Sequence, residues 1–120
     1  MWNSFAFSYV DFYHYTSERA IDAIIESGYI NESQSGGPDA FYGTGVYGTS
    51  LPPSSGKRQI ANNNWKEGWR RREKAGRVDY VIKLRIPSSR VKEVRTSNHQ
   101  LYLHQGRIRL DDYPWEVLEV

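Results

Sequence analysis

His14, Tyr42 and Tyr47 are the residues of this sequence whose types and spacing suit chemistry. His14 ends an aromatic, β-branched run, in Tyr-His-Tyr-Thr, directly before a helical pattern. A histidine there can hydrogen-bond a hydroxyl or a carboxamide through either ring nitrogen. The backbone groups just after it would lie at a strand edge, open to a planar amide. A half-buried histidine satisfied by main chain has the same sequence signature. Farther on, Tyr42 and Tyr47 frame Gly43 and Gly45 in Tyr-Gly-Thr-Gly-Val-Tyr-Gly-Thr. Glycine lets backbone approach a ligand closely, and tyrosine offers a flat face with a hydroxyl. The stretch suits a flat, polar, phosphate-bearing ligand, and it also fits a glycine-rich hairpin. It is not a P-loop, because no Gly-Lys-Ser/Thr follows at the right spacing. It is not a dinucleotide fingerprint either, because Gly43, Gly45 and Gly48 follow a loop and no helix opens after them.

Other chemistries are excluded by composition. The chain has no cysteine, which removes disulfides, thiolate metal sites and cysteine nucleophiles. His14, His99 and His104 show no metal-ligand spacing, so no metal is expected. There is no Gly-x-Ser-x-Gly elbow, and no apolar run approaches the ~20 residues of a membrane span. The N-terminal MWNSFAFSYVDF lacks a basic region and a small-residue cleavage site. The compartment stays open, with the cytoplasm favoured over secretion. Residues 1–120 are expected to form one domain, and a monomer.

Net charge is +2, but Lys57 to Arg77 holds eight Lys/Arg against two Glu, so this segment carries +6 and the remainder −4. Its WKEGWRRREKAGR run interleaves aromatic and basic residues, as single-strand nucleic-acid surfaces do. The reading favoured over this is a helix whose Trp65 and Trp69 pack inward beneath a wet face of arginines.

The elements that must position these residues follow from pattern. Phe5 to Tyr15 reads as a strand. Thr16 or Ser17 caps a helix over Glu18 to Ser27, with Ile21, Ile24 and Ile25 at helical spacing and Gly28 as its stop. Tyr29 and Ile30 form a short extended piece, and Asn31 to Asp39 is a loop. Val46 to Thr49 reads as a short strand, Pro52 to Lys57 as a turn, and Ile60 to Lys74 as a second helix. Val78 to Ile86 is the clearest strand. Shorter strands follow over Arg90–Val94, Gln100–His104, Arg107–Leu110 and Trp115–Val120. The order implies an α+β fold with a mostly antiparallel sheet and two helices.

Taken together, His-Tyr-Thr, a helix ending Ser-Gly-Tyr-Ile, and Tyr-Gly-Thr-Gly-Val-Tyr resemble the ADP-ribosyltransferase superfamily. The branch it resembles includes diphtheria toxin and the poly(ADP-ribose) polymerases, and the nearest pattern is that of small toxin-type domains with an H-Y-D signature. The likeness is strong over His14 to Pro53 and compatible in order beyond it. It implies a split, mostly antiparallel β core with NAD⁺ in a cleft, as substrate. It implies that His14 contacts the adenosine-side ribose, that the Tyr15 backbone with Thr16 holds the nicotinamide amide, and that Tyr47 stacks on the nicotinamide ring beside Gly43 and Gly45. Tyr42, Trp65 and Trp69 are the options for a second stacking ring.

The third family position opens a late strand and is usually Glu in the polymerases. Gln100, before Leu101-Tyr102-Leu103, aligns with it, and Asp79 competes for it. A glutamine can orient a ribose hydroxyl but cannot accept a proton, so it suits water or an acceptor already nucleophilic. The resemblance thus implies an NAD-dependent ADP-ribosyltransferase acting on a nucleic acid or protein, or an NAD glycohydrolase. The alternative is a non-catalytic module that binds ADP-ribose or nucleic acid. Lys57–Arg77 is the candidate nucleic-acid face, and an inhibitor protein is an expected partner of a toxin.

Overall fold

Ser17 both ends the first strand and starts the first helix. Its hydroxyl accepts the Ala20 N–H at 3.3 Å, and Gly28 closes the helix in the left-handed region at φ 81°. In the computed structural model, which describes residues 8–34, 40 and 42–120, that helix, α1, spans Glu18–Ser27. Strand β1 precedes it over Tyr9–Thr16. The earlier part of the expected strand, Phe5 to Phe7, lies outside the described residues, as do Ser35 to Asp39 of the expected loop.

The chain continues through β2 (Tyr29–Ile30), β3 (Val46–Gly48), α2 (Lys57–Asn64), α3 (Trp69–Lys74), β4 (Tyr80–Pro87), β5 (Val91–Arg95), β6 (Gln100–His104), β7 (Ile108–Arg109) and β8 (Trp115–Glu119). All strand pairs among the described residues are antiparallel, in an α+β fold with a mostly β core. One sheet has the order β1-β4-β8 and another β3-β6-β5, while β2 pairs with β7. Arg107–Leu110 therefore does not form a hairpin with Gln100–His104. The Gly106 turn sends β7 to a different partner.

β4 is the centre of the first sheet: Ile82, Leu84 and Ile86 bury one face along its length, while on the other Val81 is buried and Arg85 is exposed. Ile82, Leu84 and Ile86 join Phe12, Ile21, Ile30, Val46 and Ile108 in one core. Val81 and Val78 join Tyr13, Tyr15, Ile60 and Ala61 in a second, against which Trp65 and Trp69 pack. Burying each such aliphatic side chain contributes about 1.5–3 kcal/mol. The expected inward packing of the two tryptophans is thus present, with both rings half-buried.

The single helix expected over Ile60–Lys74 is instead two, giving three α-helices among the described residues. α2 begins earlier, at Lys57, and stops where Trp65 turns extended, φ −131° and ψ 124°. Gly68 then opens α3 at φ 70°, a conformation glycine adopts without a Cβ clash. The break is held by tertiary bonds at the end of α2. The Asn63 side chain accepts the Gln100 N–H at 2.7 Å and donates to the Gln100 carbonyl at 2.9 Å.

Candidate active site

The two main sheets touch at one rung and then part. Tyr13 and Thr49 exchange both backbone hydrogen bonds, at 2.9 and 3.0 Å. Extending that antiparallel register by two residues would set Tyr15 opposite Tyr47, with the Tyr47 carbonyl taking the Tyr15 N–H. That carbonyl is instead bonded by the His14 ring, Nδ1 to O at 2.7 Å. The histidine replaces the next rung. By alternation the Tyr15 N–H and C=O point to the same edge as those of Tyr13, away from β4 and into the opening between the sheets.

A carbonyl only accepts, so Nδ1 of His14 carries the proton and a neutral ring presents the Nε2 lone pair. Burial holds the imidazole pKa below its ordinary 6.5. The bond to Tyr47 opposes this shift, and the positive charge of Arg77 adds to it. At neutral pH His14 is therefore an uncharged acceptor. Tyr15 is buried, its hydroxyl donates to the Leu51 carbonyl at 2.6 Å, and burial pushes its pKa far up.

Tyr47 is fixed at its far end. Its hydroxyl donates to the Gly43 carbonyl at 2.6 Å and accepts the Tyr42 N–H at 2.7 Å. The tyrosine that opens the glycine-rich stretch thus serves through its backbone, holding the Tyr47 ring in place. The glycines have packing reasons. A Cβ on Gly48 would lie 2.5 Å from the Phe12 ring, and one on Gly45 would meet Leu103 at 2.5 Å and the His104 carbonyl at 2.6 Å. These two positions let β3 sit close against β1 and β6.

The cleft has a volume of about 190 Å³. His14, Tyr15, Thr16, Tyr47 and Trp65 line it, together with Asn64, Arg77 and Leu101. Asn31, Ser33, Val46 and Gly48 complete the wall. Five residues expected from sequence are thus brought together. Tyr42, Gly43, Gly45 and Gln100 are not among the lining residues. Asn64 and Arg77 were missed because neither belongs to a motif, and Arg77 was counted only as one charge of a basic run.

Gln100 opens β6 as expected, but its carboxamide is committed elsewhere. Oε1 accepts the Thr49 hydroxyl and the Ser50 N–H, both at 2.8 Å, and Nε2 donates to Glu93 at 3.0 Å. Leu101, the next residue along the strand, lines the cleft instead, as alternation demands. Gln100 therefore stands beside the site in sequence and behind it in space. Asp79 does not line the cleft either. It pairs with Lys57 at 2.9 Å on the surface, and its N–H bonds the Gly76 carbonyl at 3.2 Å.

The cleft thus lies in a split antiparallel β core, with a histidine at the end of one strand, a tyrosine on the strand facing it and an open edge between them. A family model described as HYD1 signature containing ADP-ribosyltransferase matches residues 12–112. The chain belongs to that family and is an ADP-ribosyltransferase domain of the toxin type. Comparisons with curated proteins and with solved structures gave no match.

Proposed function

We propose that residues 1–120 form one catalytic domain that cleaves the nicotinamide–ribose bond of NAD⁺ and passes ADP-ribose to an acceptor or to water. The observation that carries this reading is the rung taken by His14, which leaves the Tyr15 backbone open beside the Tyr47 ring. A carboxamide has one donor face and one acceptor, the complement of that N–H and C=O pair. Tyr47 stacks on the nicotinamide ring, and Trp65 supplies the second flat face. His14 Nε2 takes a hydrogen bond from a ribose hydroxyl. The cavity is smaller than the roughly 300–1,000 Å³ of typical ligand sites, so it holds one end of the dinucleotide while the rest follows the open rim.

Breaking the bond builds positive charge on the ribose. The site assists by fixing the leaving group and the sugar before reaction. Gln100 acts as a positioning residue: its carboxamide ties the chain just after Tyr47, at Thr49 and Ser50, to β5 and β6. The acceptor is proposed to be a nucleic acid drawn to Lys57–Arg77. Lys57, Arg58 and Arg70 border a groove beside Trp69, and the Arg70 guanidinium lies 4.3 Å from the Trp69 ring centre. We also propose that the domain is a monomer and that an inhibitor protein neutralises it as a toxin.

A second reading, a module that binds ADP-ribose or nucleic acid without turnover, is favoured by one observation. No carboxylate stands among the described residues lining the cleft. Nicotinamide release by the purified protein separates the two readings. Mass spectrometry of RNA, DNA and protein incubated with the chain and NAD⁺ identifies the acceptor. Binding of NAD⁺ without any nicotinamide release would discard the enzymatic reading.

A further inference from the structure

Arg77 differs from the other cations of its segment. α3 ends in a left-handed turn at Gly76, φ 84°. There the Arg77 N–H bonds the Arg72 carbonyl and the Gly76 N–H bonds the Glu73 carbonyl, each at 3.0 Å. This is the Schellman pattern. The next residue, Val78, is fully buried. Arg77 is thus anchored on both sides, and it lines the cleft, whereas none of Arg70, Arg71 and Lys74 does. Its guanidinium lies 5.5 Å from the Trp65 ring centre, with that of Arg72 at 5.3 Å. Trp65 and Asn64, beside it on the wall, follow directly from the break after α2.

Resting on the proposed use of NAD⁺, we propose that Arg77 forms an anion subsite in the cleft that takes the diphosphate of the dinucleotide. Among the described lining residues it alone carries a full charge, because His14 is held neutral. A guanidinium matches phosphate oxygens with two parallel donors, and the Trp65 face steadies that fork by a cation–π contact. With the nicotinamide end at Tyr15 and Tyr47, the wall formed by Asn64, Trp65 and Arg77 meets the phosphates. The subsite also explains why a diphosphate-bearing ligand would be chosen over the free base, which fills the aromatic end alone.

The test is calorimetry with NAD⁺, ADP-ribose and nicotinamide on the parent chain, Arg77→Ala, Arg77→Gln and Arg77→Lys, with Arg90→Ala as a charge-matched control on the exposed turn before β5. Arg77→Ala should weaken NAD⁺ and ADP-ribose by about ten-fold or more, the scale of removing a charge-assisted bond, and leave nicotinamide unchanged. Arg77→Lys should fall between, and Arg90→Ala should match the parent. The Gln and Lys variants keep more of the side chain's length than alanine does, so the comparison holds even where the alanine variant fails to fold. Unchanged NAD⁺ affinity in the Arg77 variants, or an equal loss for nicotinamide, overturns the subsite alone. A parent chain that binds neither NAD⁺ nor ADP-ribose overturns this subsite and the proposed function together.

Discussion

The side chain of His14 donates to the backbone oxygen of Tyr47 across 2.7 Å, where a continuing sheet would place the amide of Tyr15. The side chain thereby joins two strands and separates them at once. It sets the Tyr47 ring, frees the Tyr15 backbone and fixes the histidine tautomer.

His14 should make stability depend on pH. Its folded pKa lies below the 6.5 of the exposed group, so the unfolded chain binds the proton more readily. The neutral ring is tolerated in full above pH 6.5, and stability falls as pH drops from there toward the lower folded value. Urea unfolding at about pH 7.5 and about pH 5 should show a loss in the parent that is smaller in His14→Gln. Equal losses in both proteins would mean that another group carries the dependence.

Tyr47 should separate into ring and hydroxyl. Tyr47→Phe keeps the ring and removes both bonds to the Tyr42–Gly43 turn, which should cost about 0.5–1.5 kcal/mol of stability per bond and leave most NAD⁺ affinity. Tyr47→Ala should weaken NAD⁺ binding by the ~1–3 kcal/mol typical of aromatic stacking. Calorimetry and thermal melts on the two variants test this, and unchanged affinity in Tyr47→Ala removes the ring from the site.

Gln100→Ala leaves the Ser50 N–H without its acceptor and reduces the buried Thr49 hydroxyl to the backbone carbonyl of residue 100, at 2.9 Å. The expected loss of stability is ~1–3 kcal/mol, with nicotinamide release slowed and nicotinamide affinity little changed. Gln100 also holds the Glu93 carboxyl below its ordinary pKa of 4.5 by donating to it. NMR titration of Glu93 should therefore show a rise in Gln100→Ala. Gln100→Glu sets two carboxylates side by side, and its loss of stability relative to the parent should be larger at about pH 7 than at about pH 4. Full stability of Gln100→Ala would mean that the chain of bonds carries little.

Reversing Arg70, Arg71 and Lys74 to glutamate should weaken RNA or DNA binding and flatten its salt dependence, by roughly one unit of slope for each phosphate no longer neutralised. NAD⁺ hydrolysis should persist, since none of the three lines the cleft. Arg72 is left alone because it bonds the Glu67 carbonyl at 2.8 Å and lies over Trp65. A parent chain that binds no nucleic acid at low salt would redirect the search to protein acceptors or water.

Local sequence determined what local rules can carry. Ser17 and Gly28 bound α1 because a cap and a left-handed stop act within a turn of the helix. The apolar run after Arg77 becomes β4, and the Tyr-Gly-Thr-Gly-Val-Tyr pattern marks the strand that faces His14. The family was legible for the same reason, since its motifs are short and contiguous. The tertiary structure decided everything set by groups distant along the chain. Helical spacing of Trp65 and Trp69 predicts one helix, yet the bonds from Asn63 to the backbone of Gln100 end α2 and send Trp65 into the cleft. Alternation along β6 gives two faces, but only the packing of β6 between β3 and β5 turns Leu101 to the cleft and Gln100 to Thr49 and Glu93. Arg77 reads as one charge in a basic run, because the anchors that aim it, the Gly76 turn and the buried Val78, acquire direction only once the second core has formed.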